Sequence, residues 1–262
     1  MELIFLAVSL GAATIGAICG IGSGVIIKPA LDALHMLDIS TINFLSGCTV
    51  LAMTCYSVLV GKLSGDSKVD LRTATPLAVG AAIGGVAGQQ LFQIVKESIP
   101  QESLVSTIQS VCLMLITLAT LLYMINKNKI HTRQVRGALA GGVIGFSLGI
   151  ISAFLGIGGG PINLMILFYF FSMDTKTAAQ NSLYIILFSQ LTSFLTTVLT
   201  GTVPEFAPLA LGLMVLGGIG GGFLGRKINR RISGEQTDKL FSALMLVIIF
   251  INIYNIYCFQ QV

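Results

Sequence analysis

Six long apolar stretches constrain this chain more than any other feature of its sequence. They cover 41–61, 73–95, 104–125, 178–199, 206–225 and 240–259. A helix needs about 20 apolar residues to cross the hydrocarbon core of a bilayer. Charged residues make up only 10% of the chain, against roughly 25% in soluble proteins. The sequence therefore predicts an all-α polytopic membrane protein whose first partner is the lipid bilayer, and it excludes a cytosolic enzyme and a nucleic-acid-binding protein.

The chain is also duplicated. A shift of 136 positions places Gly20-Ile21-Gly22-Ser23-Gly24 on Gly156-Ile157-Gly158-Gly159-Gly160, and Ser46 on Ser182. With one further residue of shift, the GxxxGxxxG run 80–88 falls on 217–225. An ordered series of matches over more than half of each unit is not expected by chance. The sequence predicts two homologous membrane repeats, 1–126 and 137–262, joined by a basic linker, 127–136.

Each repeat opens with a Gly-rich break. The apolar segments 3–19 and 137–155 precede the breaks, and short segments of thirteen residues, 25–37 and 161–173, follow them. Thirteen helical residues measure roughly 20 Å, too short for a core of roughly 30 Å. We therefore expect a broken or re-entrant helical hairpin at the start of each repeat.

Lys and Arg residues predict the orientation. If every segment crosses, thirteen of the fifteen lie on one side, while Lys96 lies on the other and Lys28 within a segment. The positive-inside rule then places the linker in the cytoplasm and both termini in the periplasm or outside the cell. The two repeats are inverted because each contains an odd number of segments. Ten crossings and six crossings plus two hairpins give the same result, although the short segments favour the hairpins.

The breaks predict a binding site. We expect short helices to begin near Val25 and Pro161, where the first N–H groups are unpaired and carry about half a positive charge. Two hairpins entering from opposite faces would bring these ends together at the midplane, which predicts a site for a small anion built from residues 20–24 and 156–160. Close helix packing alone is the alternative, and it suits the GxxxG runs better.

Polar residues within the segments are further candidates. Ser46 and Ser182 belong to rows of Ser and Thr at helical spacing, and Asn181 adds an amide donor at the start of the segment that carries the second row. Such a row can line a polar path, or its hydroxyls can bond to their own helix; the sequence leaves both open. Asn163 is a candidate ligand just after the second break.

Ionisable residues occur in the first short segment only. Lys28, Asp32 and His35 follow at helical spacing, and the second repeat has apolar residues there. Lys28 could attract an anion or pair with Asp32, while Asp32 or His35 could carry a coupling proton. Asp32 and His35 would also be the pair that an intramembrane enzyme or assembly factor would need. No catalytic motif is present, and the five cysteines form no CxxC pair, so neither a cofactor nor a metal is expected.

Together, the doubled Gly-rich motifs, Pro29 and Pro161, the stretch 178–183 (Ala-Ala-Gln-Asn-Ser-Leu) and the closing glycine-spaced helices resemble the TauE/SafE sulfite exporter family over essentially the whole chain. The resemblance implies a multi-pass permease of the bacterial inner membrane that exports sulfite or a small organosulfonate such as sulfoacetate. Ser23 departs from the family motif, because the second repeat has Gly159 there. A passive anion channel is the alternative to a secondary transporter, and a homo-oligomer is left open.

Overall fold

The computed structural model describes residues 2–34, 37–99, 101–135 and 137–259. In these ranges all regular secondary structure is helical. The α-helices are α1 (Glu2–Cys19), α2 (Gly24–Asp32), α3 (Ile39–Leu63), α4 (Leu71–Ser98), α5 (Glu102–Asn126), α6 (Ala138–Phe154), α7 (Pro161–Phe171), α8 (Thr175–Leu199), α9 (Pro208–Asn229) and α10 (Gly234–Phe259). A single 3₁₀ turn, Lys127–Lys129, follows α5.

Six of the described helices, α3 to α5 and α8 to α10, are long and apolar enough to span a membrane. Their apolar stretches measure 22 to 28 residues, which exceeds a core of roughly 30 Å at about 1.5 Å per residue. The predicted all-α polytopic fold is thus confirmed. The two helices after the breaks are shorter than expected, with nine residues in α2 and eleven in α7.

Some predicted boundaries are wrong. The helix α2 ends at Asp32 instead of continuing to residue 37, because the chain turns at Ala33 and Leu34. The helix α7 ends at Phe171, where Ser172 adopts a left-handed conformation with φ of 52°. The last helix begins at Gly234, six residues earlier than its apolar segment, because Ser233 and Gln236 exchange hydrogen bonds at its start.

The glycine-spaced runs are packing faces. A Cβ atom on Gly80, Gly84 or Gly88 of α4 would overlap the backbone of α6. Gly217, Gly221 and Gly225 of α9 lie in the same way against α1. Because glycine has no side chain, the axes of these helices approach closely, as they do in many membrane proteins. The packing alternative for these two runs is confirmed.

The helices of the two halves interlock. The helix α1 packs against α9 and its equivalent α6 packs against α4; likewise α2 contacts α10 and α7 contacts α5. The equivalent helices α3 and α8 contact each other, as do α5 and α10. The counterparts are α1 and α6, α2 and α7, α3 and α8, α4 and α9, and α5 and α10. Each of the contacts above therefore has an equivalent contact between the counterpart helices. This arrangement places the two Gly-rich breaks in the interior, between α3 and α8.

Candidate functional site

The two breaks are turns that only glycine accommodates readily. Gly20 and Gly22 have φ of 79° and 77°, and Gly156 and Gly158 have φ of 65° and 69°. Side chains with a Cβ atom rarely adopt this region. In each turn the isoleucine between the glycines is fully buried, which anchors the turn in the core. The breaks are therefore defined, buried backbone structures.

The two breaks lie against each other. A Cβ atom on Gly24 would overlap the carbonyl group of Ile157, and one on Gly22 would lie 3.8 Å from the carbonyl oxygen of Gly158. On the other side, a Cβ atom on Gly160 would lie 3.9 Å from Val25 Cγ2. The start of α2 and the start of α7 therefore share one buried region.

The donors at these helix starts have no partners. The backbone N–H groups of residues 22–25 and 158–160 donate to no acceptor in the described part of the chain. All of these residues are buried. More than nine in ten buried backbone N–H groups in proteins are paired. A concentration of unpaired donors at two helix N-termini is an arrangement suited to an anion.

Several buried hydroxyl and amide groups are also unpaired. Ser23 Oγ, Ser46 Oγ, Ser182 Oγ and Asn163 Oδ1 are buried and lack a hydrogen-bond partner. The threonines behave differently, because Thr49 Oγ1 donates to the carbonyl oxygen of Leu45 at 2.8 Å. Of the two interpretations of the polar rows, bonding to the helix backbone therefore describes Thr49 and not the buried serines.

The remaining predicted ligands have other surroundings. Lys28 Nζ lies 3.6 Å from Asp32 Oδ2, and both side chains are buried. Asn181 holds the loop before α4, since its Oδ1 accepts from Asp70 N at 3.0 Å and its Nδ2 donates to the oxygen of Lys68 at 3.2 Å. His35 lies outside the described residues.

Two cavities lead towards the breaks from opposite ends of α3 and α8. The first, the amide vestibule, has a volume of about 50 Å³ and reaches Gly156. The second, the arginine vestibule, has a volume of about 70 Å³ and reaches Ala179, which contacts Gly20. Polar members of the amide vestibule are Ser40, Asn43, Gln89, Gln93, Gln190, Ser193, Thr197 and Thr202. Polar members of the arginine vestibule are Ser57, Asp66, Ser67, Gln180, Arg226, Asn229 and Arg230.

The vestibules are related by the duplication. Shifts of 136 or 137 positions carry Ser57 to Ser193, Asp66 to Thr202 and Ala17 to Ala153. They also carry Gln89 to Arg226 and Gln93 to Arg230. The same part of each repeat therefore lines a cavity at each end of the molecule.

Sequence reasoning missed several of these residues. Arg226 and Arg230 were counted only as topology signals, and Gln190 was not considered. Gln190 connects the amide vestibule with the second break, because a Cβ atom on Gly158 would lie 2.9 Å from its Cδ. The alignment of Gln89 with Arg226 was a usable signal, since it is a change from an amide to a cation within the duplication.

Asp38 and Asp174 cap the helices that carry the serines. Each carboxylate accepts hydrogen bonds from two backbone N–H groups at the start of its helix, α3 or α8. Burial alone would raise the pKa of each carboxyl, but hydrogen bonds from Thr41 and Thr177 outweigh it and hold each pKa below its usual value. Both aspartates are therefore helix caps and not ligands.

Comparison with known proteins agrees with this architecture. The family model described as sulfite exporter TauE/SafE matches residues 5–252. The chain belongs to the TauE/SafE sulfite exporter family. It is also 26% identical over 280 aligned positions to the "Probable membrane transporter protein YunE" of Bacillus subtilis (strain 168), a match that covers 97% of each chain. No solved structure gives a significant match.

Membership of the TauE/SafE family decides between the broad function classes. The family and the relative are both described as membrane transporters. The chain is therefore a multi-pass membrane transporter and not an enzyme, which overturns the intramembrane enzyme that Asp32 and His35 left open.

Proposed function

We propose that this transporter exports a small anion, sulfite or an organosulfonate such as sulfoacetate, bound between the two Gly-rich breaks. The observation that carries the proposal is the contact between two buried helix N-termini whose backbone N–H groups have no partner. Unpaired donors in a low-dielectric interior favour a negative charge, because the partial charges there are poorly screened. The family description, a sulfite exporter, supports this substrate class.

The ligands are mainly backbone groups. Residues 22–25 and 158–160 supply the N–H donors, and the Ser23 hydroxyl adds one more. The prediction for the first two residues of each break is wrong, because the N–H groups of residues 20, 21, 156 and 157 donate to carbonyl oxygens of the preceding helix. Asn163 lies just beyond the second break, and it can contribute only through its amide NH₂ group, since its oxygen is an acceptor. Ser46 and Ser182 supply hydroxyls from α3 and α8, at positions that the duplication relates. We leave Asn181 out of this set, because its amide is occupied by the loop before α4.

Lys28 and Asp32 supply charge and coupling in this proposal. The ammonium group is one turn into α2 and has no hydrogen bond, although Asp32 lies 3.6 Å away. A buried ionisable pair in a membrane protein is expensive to maintain, so a role in ion movement is the usual explanation. Protonation of Asp32 would neutralise its carboxylate, release Lys28 to the substrate and so couple export to a proton.

We propose that the two repeats, 1–126 and 137–262, are inverted in the inner membrane. The basic linker 127–136 and the arginine vestibule then face the cytoplasm, and both termini and the amide vestibule face the periplasm. Six helices of spanning length fit six crossings plus two re-entrant hairpins formed by α1–α2 and α6–α7. Each vestibule would give the central site access from one side in turn.

Flux through proteoliposomes tests this function. Purified protein is reconstituted, and movement of labelled sulfite and sulfoacetate is followed with and without a pH gradient. We expect saturable flux of one or both anions that responds to the gradient. Absence of flux for every tested anion would contradict the proposal. Conductance without coupling, measured in planar bilayers, would instead indicate the passive anion channel.

A further inference from the structure

Three charged residues converge in the arginine vestibule. Asp66 Oδ2 lies 3.5 Å from Arg226 Nη2 and forms a closer ion pair with Arg230 Nη2. The equivalent positions in the amide vestibule are Thr202, Gln89 and Gln93, none of which is charged. Because the same scaffold forms a vestibule without these charges, packing alone does not require them.

In the amide vestibule a different group donates the hydrogen bond that Arg226 donates in the arginine vestibule. Arg226 Nη1 donates to the carbonyl oxygen of Ser57 at 3.2 Å. The equivalent carbonyl, that of Ser193, accepts instead from Thr197 Oγ1 at 3.0 Å. A neutral hydroxyl is therefore sufficient to donate to the carbonyl oxygen at this position of the repeat.

Glycine at the counterpart of Thr197 makes room for the guanidinium. A Cβ atom on Gly61 would lie 2.9 Å from Arg226 Nη1. Positions 61 and 226 of the arginine vestibule thus differ in a matched way from positions 197 and 89, their counterparts in the amide vestibule. Position 61 has no side chain, and position 226 has a long cationic one. Matched changes that bring a cation into a cavity point to an anionic ligand.

The guanidinium of Arg226 is only partly satisfied. Its Nε is buried and has no hydrogen-bond partner, and its distance to Asp66 is long for a hydrogen bond. The side chains of Asp66 and Arg230 are each 52% exposed, and exposed ion pairs contribute little to stability. A competing oxyanion can therefore displace the Asp66 carboxylate at low cost.

We propose that Arg226 and Arg230 form a second subsite for the oxyanion substrate, in which the Asp66 carboxylate occupies the anion's place until substrate arrives. Guanidinium groups bind carboxylate, sulfite and sulfonate through the same paired N–H···O geometry. Asp66 belongs to the loop that Gln180 and Asn181 hold over the vestibule. Displacement of Asp66 removes one attachment of that loop and widens the route to the central site. This subsite rests on the proposed function and collects substrate from the cytoplasm.

Kinetics measured separately from each side test the subsite. Proteoliposomes of one orientation are used, and the KM for sulfite is measured from each face. Arg226→Gln, which copies the amide vestibule, should raise the KM from the arginine side about tenfold, as expected for the loss of a charge-assisted hydrogen bond. The KM from the opposite side should change less than about twofold. Asp66→Asn should lower the KM from the arginine side, because it removes the competitor. Arg231→Gln, at an exposed neighbouring arginine, is the control and should change neither.

Other results overturn the subsite. Equal changes of KM from both sides, or a KM raised by Asp66→Asn as well as by Arg226→Gln, would indicate a structural role for the cluster. Sulfite binding to the detergent-solubilised protein, measured by calorimetry, separates this inference from transport itself. If the unaltered protein binds sulfite and Arg226→Gln weakens that binding, the subsite holds even without flux. If flux persists and neither variant alters binding or one-sided KM, the subsite is wrong and transport stands.

Discussion

The two breaks reach the same shared region with different residues. The second break has four consecutive or near-consecutive glycines with positive φ, at 156 and 158–160, whereas the first has only Gly20 and Gly22. The first break instead contributes Ser23 and, one turn later, Lys28, where the second repeat has Gly159 and Leu164. What they have in common is the backbone: a buried isoleucine between glycines, followed by unpaired N–H groups. Under the proposed function, backbone donors form the anion site and side chains of the first break adjust it.

The largest effect is expected where the two breaks touch. Gly24→Ala places a methyl group on the carbonyl of Ile157, so the two helix starts must separate. We expect sulfite flux to fall by at least about a hundredfold, because displacements of about 1 Å cost that much in positioned sites. Gly11→Ala is the matched control, since nothing lies within 4 Å of its added Cβ. Equal flux in the two variants would show that contact between the breaks is unimportant.

Lys28 is the strongest difference between the breaks. Lys28→Leu copies the second repeat and removes the ammonium group that lies 3.6 Å from the buried Asp32 carboxylate, which should destabilise the protein by about 3–5 kcal/mol. Lys28→Leu combined with Asp32→Leu should recover most of that stability, measured by thermal unfolding in detergent. If the pair couples transport, the double variant folds but loses its response to a pH gradient. If the double variant keeps an unchanged gradient-driven flux, Lys28 and Asp32 form an ion pair with a structural role only.

Ser23 tests the smaller side-chain contribution. Ser23→Gly makes the first break match the second, and glycine at a helix N-cap costs only a few tenths of a kcal/mol relative to serine. Loss of one hydrogen bond from a hydroxyl to the anionic substrate should raise the KM for sulfite about tenfold. The reverse exchange, Gly159→Ser, is not a fair partner, because residue 159 has φ of 136° and contacts Ile186. An unchanged KM in Ser23→Gly would leave recognition to the backbone alone.

The helix caps should behave alike in both repeats. Asp38→Ala and Asp174→Ala should each cost about 1 kcal/mol of stability at neutral pH. Because hydrogen bonds lower both folded-state pKa values, this stabilisation is complete above the unfolded pKa of about 4. It is lost as the pH falls through the folded pKa. Thermal unfolding between pH 7 and pH 3 measures it, and an effect that grows on acidification would contradict the assignment.

Much of the fold could be predicted from the sequence. The lengths of the apolar segments identified six helices of spanning length, and the duplication predicted that the two Gly-rich breaks are equivalent. Helix ends were less predictable, because the end of α2 depends on a local turn at Ala33 and Leu34 and not on apolar character.

The site was predictable only in its backbone. Glycine spacing marked both breaks, but it carried no information on which side chains would be left unpaired. Ser46 and Asn181 looked equivalent in the sequence, yet Ser46 has no hydrogen-bond partner while Asn181 bonds to the loop before α4. The vestibules depend on contacts between helices far apart in the chain. The sequence does not indicate these contacts, because they depend on how the two repeats pack together.

An anomalous scatterer that replaces sulfite tests the shared anion site most directly. Selenite is a pyramidal oxyanion with the same formal charge as sulfite, and its selenium atom can be located in crystals of the full chain by anomalous diffraction. We predict a selenium peak between the two breaks, with selenite oxygens about 3 Å from the backbone nitrogens of residues 22–25 and 158–160. A selenium peak elsewhere, with none between the breaks under conditions where selenite blocks sulfite flux, would contradict the account.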